Sequence, residues 1–290
     1  MSMIAKVGVM PKQNLVVVFP IYNGARTMEQ SLKCIAEQDY RNFRAIIVEN
    51  KSTDNTLAIA RSFCAKDPRF EIVQNEARLG MIDNFMNSIR IARDIGDYFC
   101  LRACDDLSTP DYLSKLVAAL DADPTKLLAV GSVLRIGPDQ TRRLTPEPEI
   151  FSFGEKAKAG TLPSGLHFPS EWFYGVYRSK GGAEILLERL PELGSAWCAA
   201  SYTVAEFVVR DLVAYVEKPA YHFYEGSNSE SIYAARTRRE KLGQLWRYTN
   251  GCFRVRRKLP PMSLTTQARL WVMFLKDARR KTRYRILGKF

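Results

Sequence analysis

Leu15-Val-Val-Val-Phe19, with the segment after it, Pro20-Ile-Tyr-Asn-Gly24, sets the reading of everything downstream. Five apolar residues, three of them β-branched, run without a polar break. A strand with one wetted face alternates, so an unbroken run predicts a strand covered on both faces, as in a parallel sheet. Pro20 ends the run, and Tyr22-Asn-Gly24 reads as a turn. Helical spacing follows in Met28, Leu32, Ile35 and Ala36. The alternation then recurs. Phe43–Val48, Phe70–Val73 and Tyr98–Leu101 are the next apolar runs. Leu57, Ala60 and Cys64, then Met81, Phe85, Ile89 and Ala92, mark the helices between them. Strands and helices alternating over short connections predict a doubly wound α/β sheet flanked by helices. Beyond it, a helix is expected from about Pro110 to Leu120 and a strand over Leu127–Leu134. Gly137–Gly165, rich in Pro, Gly and charge, reads as loops wrapping over a site. Helices near Gly181–Leu190 and Ser201–Val209 and a strand near Val213–Glu217 complete the body.

The chain has 290 residues, enough for one large domain or two modest ones. Six cysteines (Cys34, Cys64, Cys100, Cys104, Cys198, Cys252) are scattered with no C-x-x-C pair. They read as reduced, small hydrophobes, which points to the cytosol. No basic-then-apolar leader and no bilayer-length apolar run is present. The net charge of +12 is uneven: residues 231–290 hold 17 Lys/Arg against Glu240 and Asp277, a local +15 that leaves −3 elsewhere.

Tyr98-Phe-Cys-Leu-Arg-Ala-Cys104 ends on two adjacent acids, Asp105 and Asp106. In an open α/β sheet, ligands bind beyond the carboxyl ends of the strands. Paired carboxylates there suit a hard divalent cation holding phosphate oxygens. The plainer alternative is a solvated loop, with Ser108 or Thr109 capping the next helix and Pro110 at its first position.

Four segments in order carry a resemblance. They are Val16–Gly24, Ile46-Ile-Val-Glu-Asn-Lys-Ser-Thr-Asp-Asn-Thr56, Asn75-Glu-Ala-Arg-Leu-Gly80 with Asn84-Phe85, and Cys104-Asp-Asp-Leu-Ser-Thr-Pro-Asp-Tyr-Leu113. Together they resemble the family 2 glycosyltransferases of GT-A fold, well over residues 14–120 and fading through 121–230. The resemblance implies a mixed, mostly parallel sheet. It also implies a nucleotide-sugar-binding half (1–125), an acceptor-binding half (126–230) and, outside its reach, a basic helical tail (231–290). By position, Asp105 would contact the donor ribose or sugar, and Asp106 would ligate Mn²⁺ or Mg²⁺. Pro20 and Tyr22 would line the base and ribose pocket, with Glu49, Asn50, Arg78 and Asn84 around it. Asn50 falls where the residue facing the base N3–H is often Asp. Its amide oxygen can accept the same bond, which keeps a UDP-linked sugar as the expected donor.

The chain departs from the family pattern in three places. Ala103 replaces the first acid of Asp-x-Asp-Asp. Gly194–Thr203, where the acceptor-side base commonly lies, contains no acid, which leaves Glu206 and Glu171 as the two candidates. Tyr224 stands where a metal- or phosphate-binding histidine commonly falls, with His222 two residues earlier on the same strand face. The expected activity is an inverting, metal-dependent transfer to a hydroxyl of a glycan or lipid-linked glycan in polysaccharide biosynthesis. A catalytically silent GT-A scaffold is the alternative.

In the tail, Arg236–Thr249 carries Leu242, Leu245 and Trp246, and Leu264–Arg285 carries Leu264, Ala268, Trp271 and Leu275. Leu270-Trp-Val-Met-Phe-Leu275 is apolar all round, and Lys276, Arg279, Arg280, Lys281, Arg283 and Arg285 follow it. Such a pattern suits an interfacial helix on anionic lipid at the inner face of the cytoplasmic membrane. Packing on the body or on a second subunit is the other reading. Nucleic acid is set aside, because no recognised module accompanies the charge.

Overall fold

The computed structural model describes residues 13–145, 152–226 and 232–284. The expected alternation opens it: β1 (Gln13–Ile21), α1 (Met28–Ala36), β2 (Phe43–Glu49), α2 (Thr56–Cys64), β3 (Phe70–Gln74), α3 (Met81–Ile95) and β4 (Gly96–Leu101). Then come β5 (Leu107–Ser108), α4 (Tyr112–Ala122), β6 (Leu128–Ile136), β7 (Arg142–Leu144) and α5 (Phe153–Ala159). A 3₁₀ turn (Ser170–Tyr174), β8 (Val176–Arg178), α6 (Ser179–Arg189), α7 (Ala199–Val209) and β9 (Val213–Tyr224) follow, and α8 (Arg238–Arg254) and α9 (Leu264–Lys281) close the described chain.

One mixed sheet runs β3-β2-β1-β4-β8-β6-β9-β5, with β7 beside β6. The long ladders are parallel: β1 with β2 and β4, β2 with β3, and β6 with β9. The antiparallel pairings, β4–β8, β6–β8, β5–β9 and β6–β7, cover only two or three residues each. The unbroken run in β1 divides between the two faces as a strand's period of two requires. Leu15, Val17 and Phe19 join one core cluster with Ala45, Ile47 and α1. Val16 and Val18 join the other with Ile46, Phe99 and Leu101. The β6–β9 ladder slips at Gly131/Ser132, where a side chain on residue 131 would meet the Pro219 carbonyl oxygen at 2.1 Å.

Three expectations are corrected. First, Gly137–Gly165 is not all loop. Helix α5 buries Phe153 and Ala157, and Asp211 accepts from the Phe153 and Gly154 N–H groups at 2.6 and 2.7 Å. Its seven residues are too few for periodicity to register; residues 146–151 lie outside the described ones. Second, Ser108 and Thr109 do not cap a helix. They lie on β9, where the Thr109 N–H donates to Ala220 O (2.9 Å) and the Ala220 N–H to Thr109 Oγ1 (3.1 Å). Third, the tail is helical as expected, with a capping box at Thr237 and Glu240. One face of its apolar stretch, however, meets protein: Leu270, Met273 and Phe274, with Ala278 beyond them, are buried in the same cluster as Val16 and Val18, while Val272 is exposed. Arg285 lies outside the described residues. Among those residues, no helix is long and apolar enough to cross a membrane. The six cysteines are free thiols.

Candidate functional site

Three loops meet at the carboxyl ends of β1, β2 and β4. The first two are tied together by side chains. The Asn23 N–H donates to Ser52 Oγ (3.0 Å), the Thr53 N–H to Asn23 Oδ1 (2.8 Å), and the Ala25 N–H to Asp54 Oδ2 (3.1 Å). Asn23 and Lys51 take left-handed backbone angles to make the fit. Gly24 keeps the third loop close: a Cβ there would stand 2.9 Å from Ile21 Cγ2 and 3.1 Å from Cys104 Sγ, tighter than ordinary contact with the residue before Asp105.

Asp106 is 2 % exposed. Tyr221 Oη donates to its Oδ2 at 2.9 Å and the Tyr224 N–H to its Oδ1 at 3.1 Å. Ser31 Oγ bonds the carbonyls of Ala103 and Asp106, fixing the backbone of the pair. Burial, and then the charge of Asp105, push the Asp106 carboxyl up to about 7, against the pull of the Tyr224 N–H, Tyr221 and Arg102. Burial raises Asp105 as well, opposed by its own N–H and by Arg26. Asp105 is the more accessible of the two. Neither has an ion-pair partner among the described residues.

The loop after β3 supplies Arg78, whose guanidinium lies 4.1 Å from the Tyr22 ring centroid. These two sequence candidates thus form one platform at the mouth. Glu49 and Asn50 do not face it. The carboxylate of Glu49 accepts from the Ser52 N–H (2.6 Å) and Gln74 Nε2 (3.0 Å). Burial opposes its ionisation, but these donors outweigh it and its pKa lies below the ordinary value. Asn50 Oδ1 accepts from the Leu79 N–H (2.8 Å) and Asn75 Nδ2 (2.9 Å), and its Nδ2 donates to Leu79 O (3.0 Å). Both acceptor positions of the amide oxygen are filled. Asn50 therefore clamps the 75–80 loop, and the expected role of accepting a base N–H is corrected. Asn84 belongs to the same clamp, accepting from Asn75 Nδ2 at 2.8 Å. Asn75, buried at its centre, was within the quoted motif but not singled out. Pro20 is half-buried within β1, paired with Val48.

The acceptor-side candidates separate. Glu206 is buried among cations: Arg210 Nη1 and Lys258 Nζ lie 2.8 Å from its Oε1, and Arg189 Nε lies 3.5 Å from Oε2. This is a junction between helices, so the catalytic expectation for it is corrected. Glu171, 4 % exposed, opens the turn before β8. Arg135 Nη2 donates to its Oε1 at 2.6 Å, while Oε2 is buried without a hydrogen-bond partner. Tyr174, three residues on, has its pKa raised by burial first and then by the charges of Asp106, Asp105 and Glu171. The Tyr174 ring stacks on Tyr221, whose hydroxyl bonds Asp106, so the turn that bears Glu171 packs beside the Asp106 side of the site. His222 is half-buried on β9. Burial, then Arg142 and Arg102, hold its pKa below the ordinary value. Across the β5–β9 ladder it pairs with Leu107, the residue after Asp106.

The aspartate pair fits a divalent cation: two adjacent carboxylates, Asp106 buried and Asp105 partly so, neither in an ion pair among the described residues, offer the hard oxygen ligands such an ion takes. Among the described residues no group of three His, Cys, Asp or Glu side chains converges. The remaining coordination would come from phosphate oxygens and water, a usual pattern for Mg²⁺.

Solved structures share this architecture. The structure of Staphylococcus aureus TarS 1-349 with UDP-GlcNAc aligns with TM-score 0.63 at 14 % identity, covering 93 % of this chain and 74 % of that one. A Pyrobaculum calidifontis mannosyltransferase with GDP-Man and Mn²⁺ aligns with TM-score 0.55 at 17 % identity, covering 93 % and 75 %. The fold is GT-A. The model of the family described as "Glycosyl transferase family 2" matches residues 16–180. The chain belongs to that family. An uncharacterized glycosyltransferase of Haemophilus influenzae is 31 % identical over 148 residues, covering 50 % of this chain and 42 % of that protein. The amylovoran biosynthesis glycosyltransferase AmsB of Erwinia amylovora is 30 % identical over 107 residues, 36 % and 35 % of the two chains. The chain spans about half, or less, of the length of the curated relatives it matches.

Proposed function

We propose that the chain transfers a sugar from a nucleotide-sugar donor, UDP-linked, to a hydroxyl of a glycan or lipid-linked glycan. The observation that carries this reading is the Asp105–Asp106 pair just beyond β4, with Asp106 held by the Tyr221 hydroxyl and the Tyr224 N–H beside the Tyr221–Tyr174 stack. Tyr22, backed by Arg78, offers a stacking face for the base. Asp105 and Asp106 would hold Mn²⁺ or Mg²⁺, which supplies charge stabilisation for a departing diphosphate. Glu171 Oε2 takes the proton of the attacking hydroxyl, and Arg135, fixed on Oε1, holds that carboxylate in place. A single displacement guided by one base inverts the anomeric centre.

Titrating UDP with and without Mn²⁺ tests the donor half: metal-dependent binding is expected, and Asp105→Asn and Asp106→Asn abolish it. Glu171→Gln keeps UDP affinity and lowers kcat on the order of 10²–10⁴-fold, the range for loss of a general base. Donor binding with no turnover on any acceptor would leave the scaffold reading standing.

The tail supports a second element of this reading, docking at an anionic membrane. Leu242 and Trp246, one turn apart on α8, are 51 % and 62 % exposed in the most basic part of the chain. Sedimentation with vesicles containing anionic lipid tests this. Leu242→Glu with Trp246→Glu should abolish pelleting, and equal pelleting of wild type and variant would dismiss the membrane.

A further inference from the structure

Arg102 follows β4 directly and is 0 % exposed. Its N–H bonds Val18 O at 2.9 Å, so the backbone is part of the sheet edge. Its side chain runs inward, and Nε, Nη1 and Nη2 are all buried without a hydrogen-bond partner. A buried, permanently charged group with no polar partner opposes folding, so its presence calls for a reason. The guanidinium carbon lies 4.8 Å from the Tyr221 ring centroid and 5.8 Å from that of Tyr112. Tyr221 also stacks on Tyr174, with centroids 5.4 Å apart and planes within 4°. The Tyr221 hydroxyl donates to Asp106 Oδ2 at 2.9 Å.

We infer that Arg102 is a positioning residue for the donor site, acting on Asp106 through Tyr221. The cation against the Tyr221 ring attracts it electrostatically. Together with Tyr174 it pins the ring so that the hydroxyl stays on Asp106. The Tyr224 N–H holds the other oxygen, so the carboxylate is fixed at both ends. Arg102 touches neither donor nor acceptor. A leucine or methionine of similar reach would fill the space at lower cost to folding, but would leave the Tyr221 ring without its cation. This role deepens the proposed donor site and rests on that reading.

The test is a double-mutant cycle on UDP affinity in the presence of Mn²⁺, using Arg102→Met, Tyr221→Phe and the double variant, with the melting temperature of each measured. Supporting groups around a ligand set typically contribute 10–100-fold, so each single variant should weaken UDP binding about tenfold or more. The double variant should be no weaker than the weaker single one, because both act through one hydroxyl. Arg102→Met should melt no lower than wild type. Wild-type affinity in Arg102→Met, or additive losses in the double variant, would overturn the inference. If Arg102→Met does not fold, Arg102→Gln carries the test. It keeps a polar side chain but has no charge to set against the Tyr221 ring, so UDP binding weakens, and unchanged binding overturns the proposal. A wild type that binds no UDP defeats the donor-site reading itself, an outcome distinct from all of these.

Discussion

Asn75 accepts from Asn87 Nδ2 and donates to both Asn50 and Asn84, all within 2.8–2.9 Å. Replacing it with alanine leaves buried amide groups without partners, each worth about 1–3 kcal/mol. Asn75→Ala should therefore lose about that much stability in urea unfolding, and a variant as stable as wild type would refute the clamp. Because the clamp holds the loop that bears Arg78, UDP affinity should fall as well. Sequence could place the aspartates, Tyr22 and Arg78 beyond strand ends because their neighbours on the chain set those positions, but the contact between Tyr22 and Arg78 was not legible in it. It could not assign Asn50. An amide offers the same groups to a nucleobase as to a backbone carbonyl, and only the path of the 75–80 loop decides between them. Glu171 and Glu206 were equally matched on paper for the same reason. Of the cations around Glu206, Arg210 lies one turn on, but Arg189 ends α6 and Lys258 follows α8, both distant in sequence.

Short segments do much of the positioning. Strand β8 has three residues, yet it separates β4 from β6 and sets the Glu171–Tyr174 turn against the site. Strands of two or three residues carry no readable period, so β5 and β7 do not register in the sequence, whereas β1, β2, β4 and β6 are legible from their apolar runs. The turn into β3 gives a pH-dependent prediction. Arg69 donates to Asp67 from its N–H, Nε and Nη2, and these bonds hold the Asp67 carboxyl below its ordinary pKa. A carboxyl lowered in the native state stabilises fully above its unfolded pKa, and that contribution vanishes as pH falls through the native value. Asp67→Asn should thus melt lower than wild type at neutral pH, with the gap closing in acid; a constant gap would reject the assignment. Helix contact sets another limit. A Cβ on Gly251 would stand 1.9 Å from Tyr202 Oη, whose ring carries Arg189 at 4.0 Å. Gly251→Ala must displace Tyr202 and should destabilise by about 1–3 kcal/mol, read from calorimetric melting.

The two terminal helices belong to the body. Leu245, Tyr248, Leu270, Met273 and Phe274 share one cluster with Val16, Phe99 and Phe207. A chain cut after Gly226 would bare that surface. It should aggregate or lose its cooperative melt, and a soluble, sharply melting fragment would contradict this packing. Amphipathic periodicity states that a helix has an apolar face, not whether lipid or protein covers it. That is why the tail's helices were legible and their partner was not. Leu242 and Trp246 stay exposed among the basic residues of α8, while Arg254, Lys258 and Arg280 pair with acids. The same closure has a consequence during synthesis. Val16 leaves the ribosome among the earliest core residues, but its cluster is complete only when Phe274 and Ala278 have followed. Translation at roughly 5–20 residues per second makes that delay at least on the order of ten seconds. Over that interval one face of the nascent sheet lacks its final cover. The other face, closed by α1 and α4, involves no residue beyond Phe223 among the described ones and can settle earlier. Nascent-chain chaperones should therefore engage this protein through a single face of its sheet.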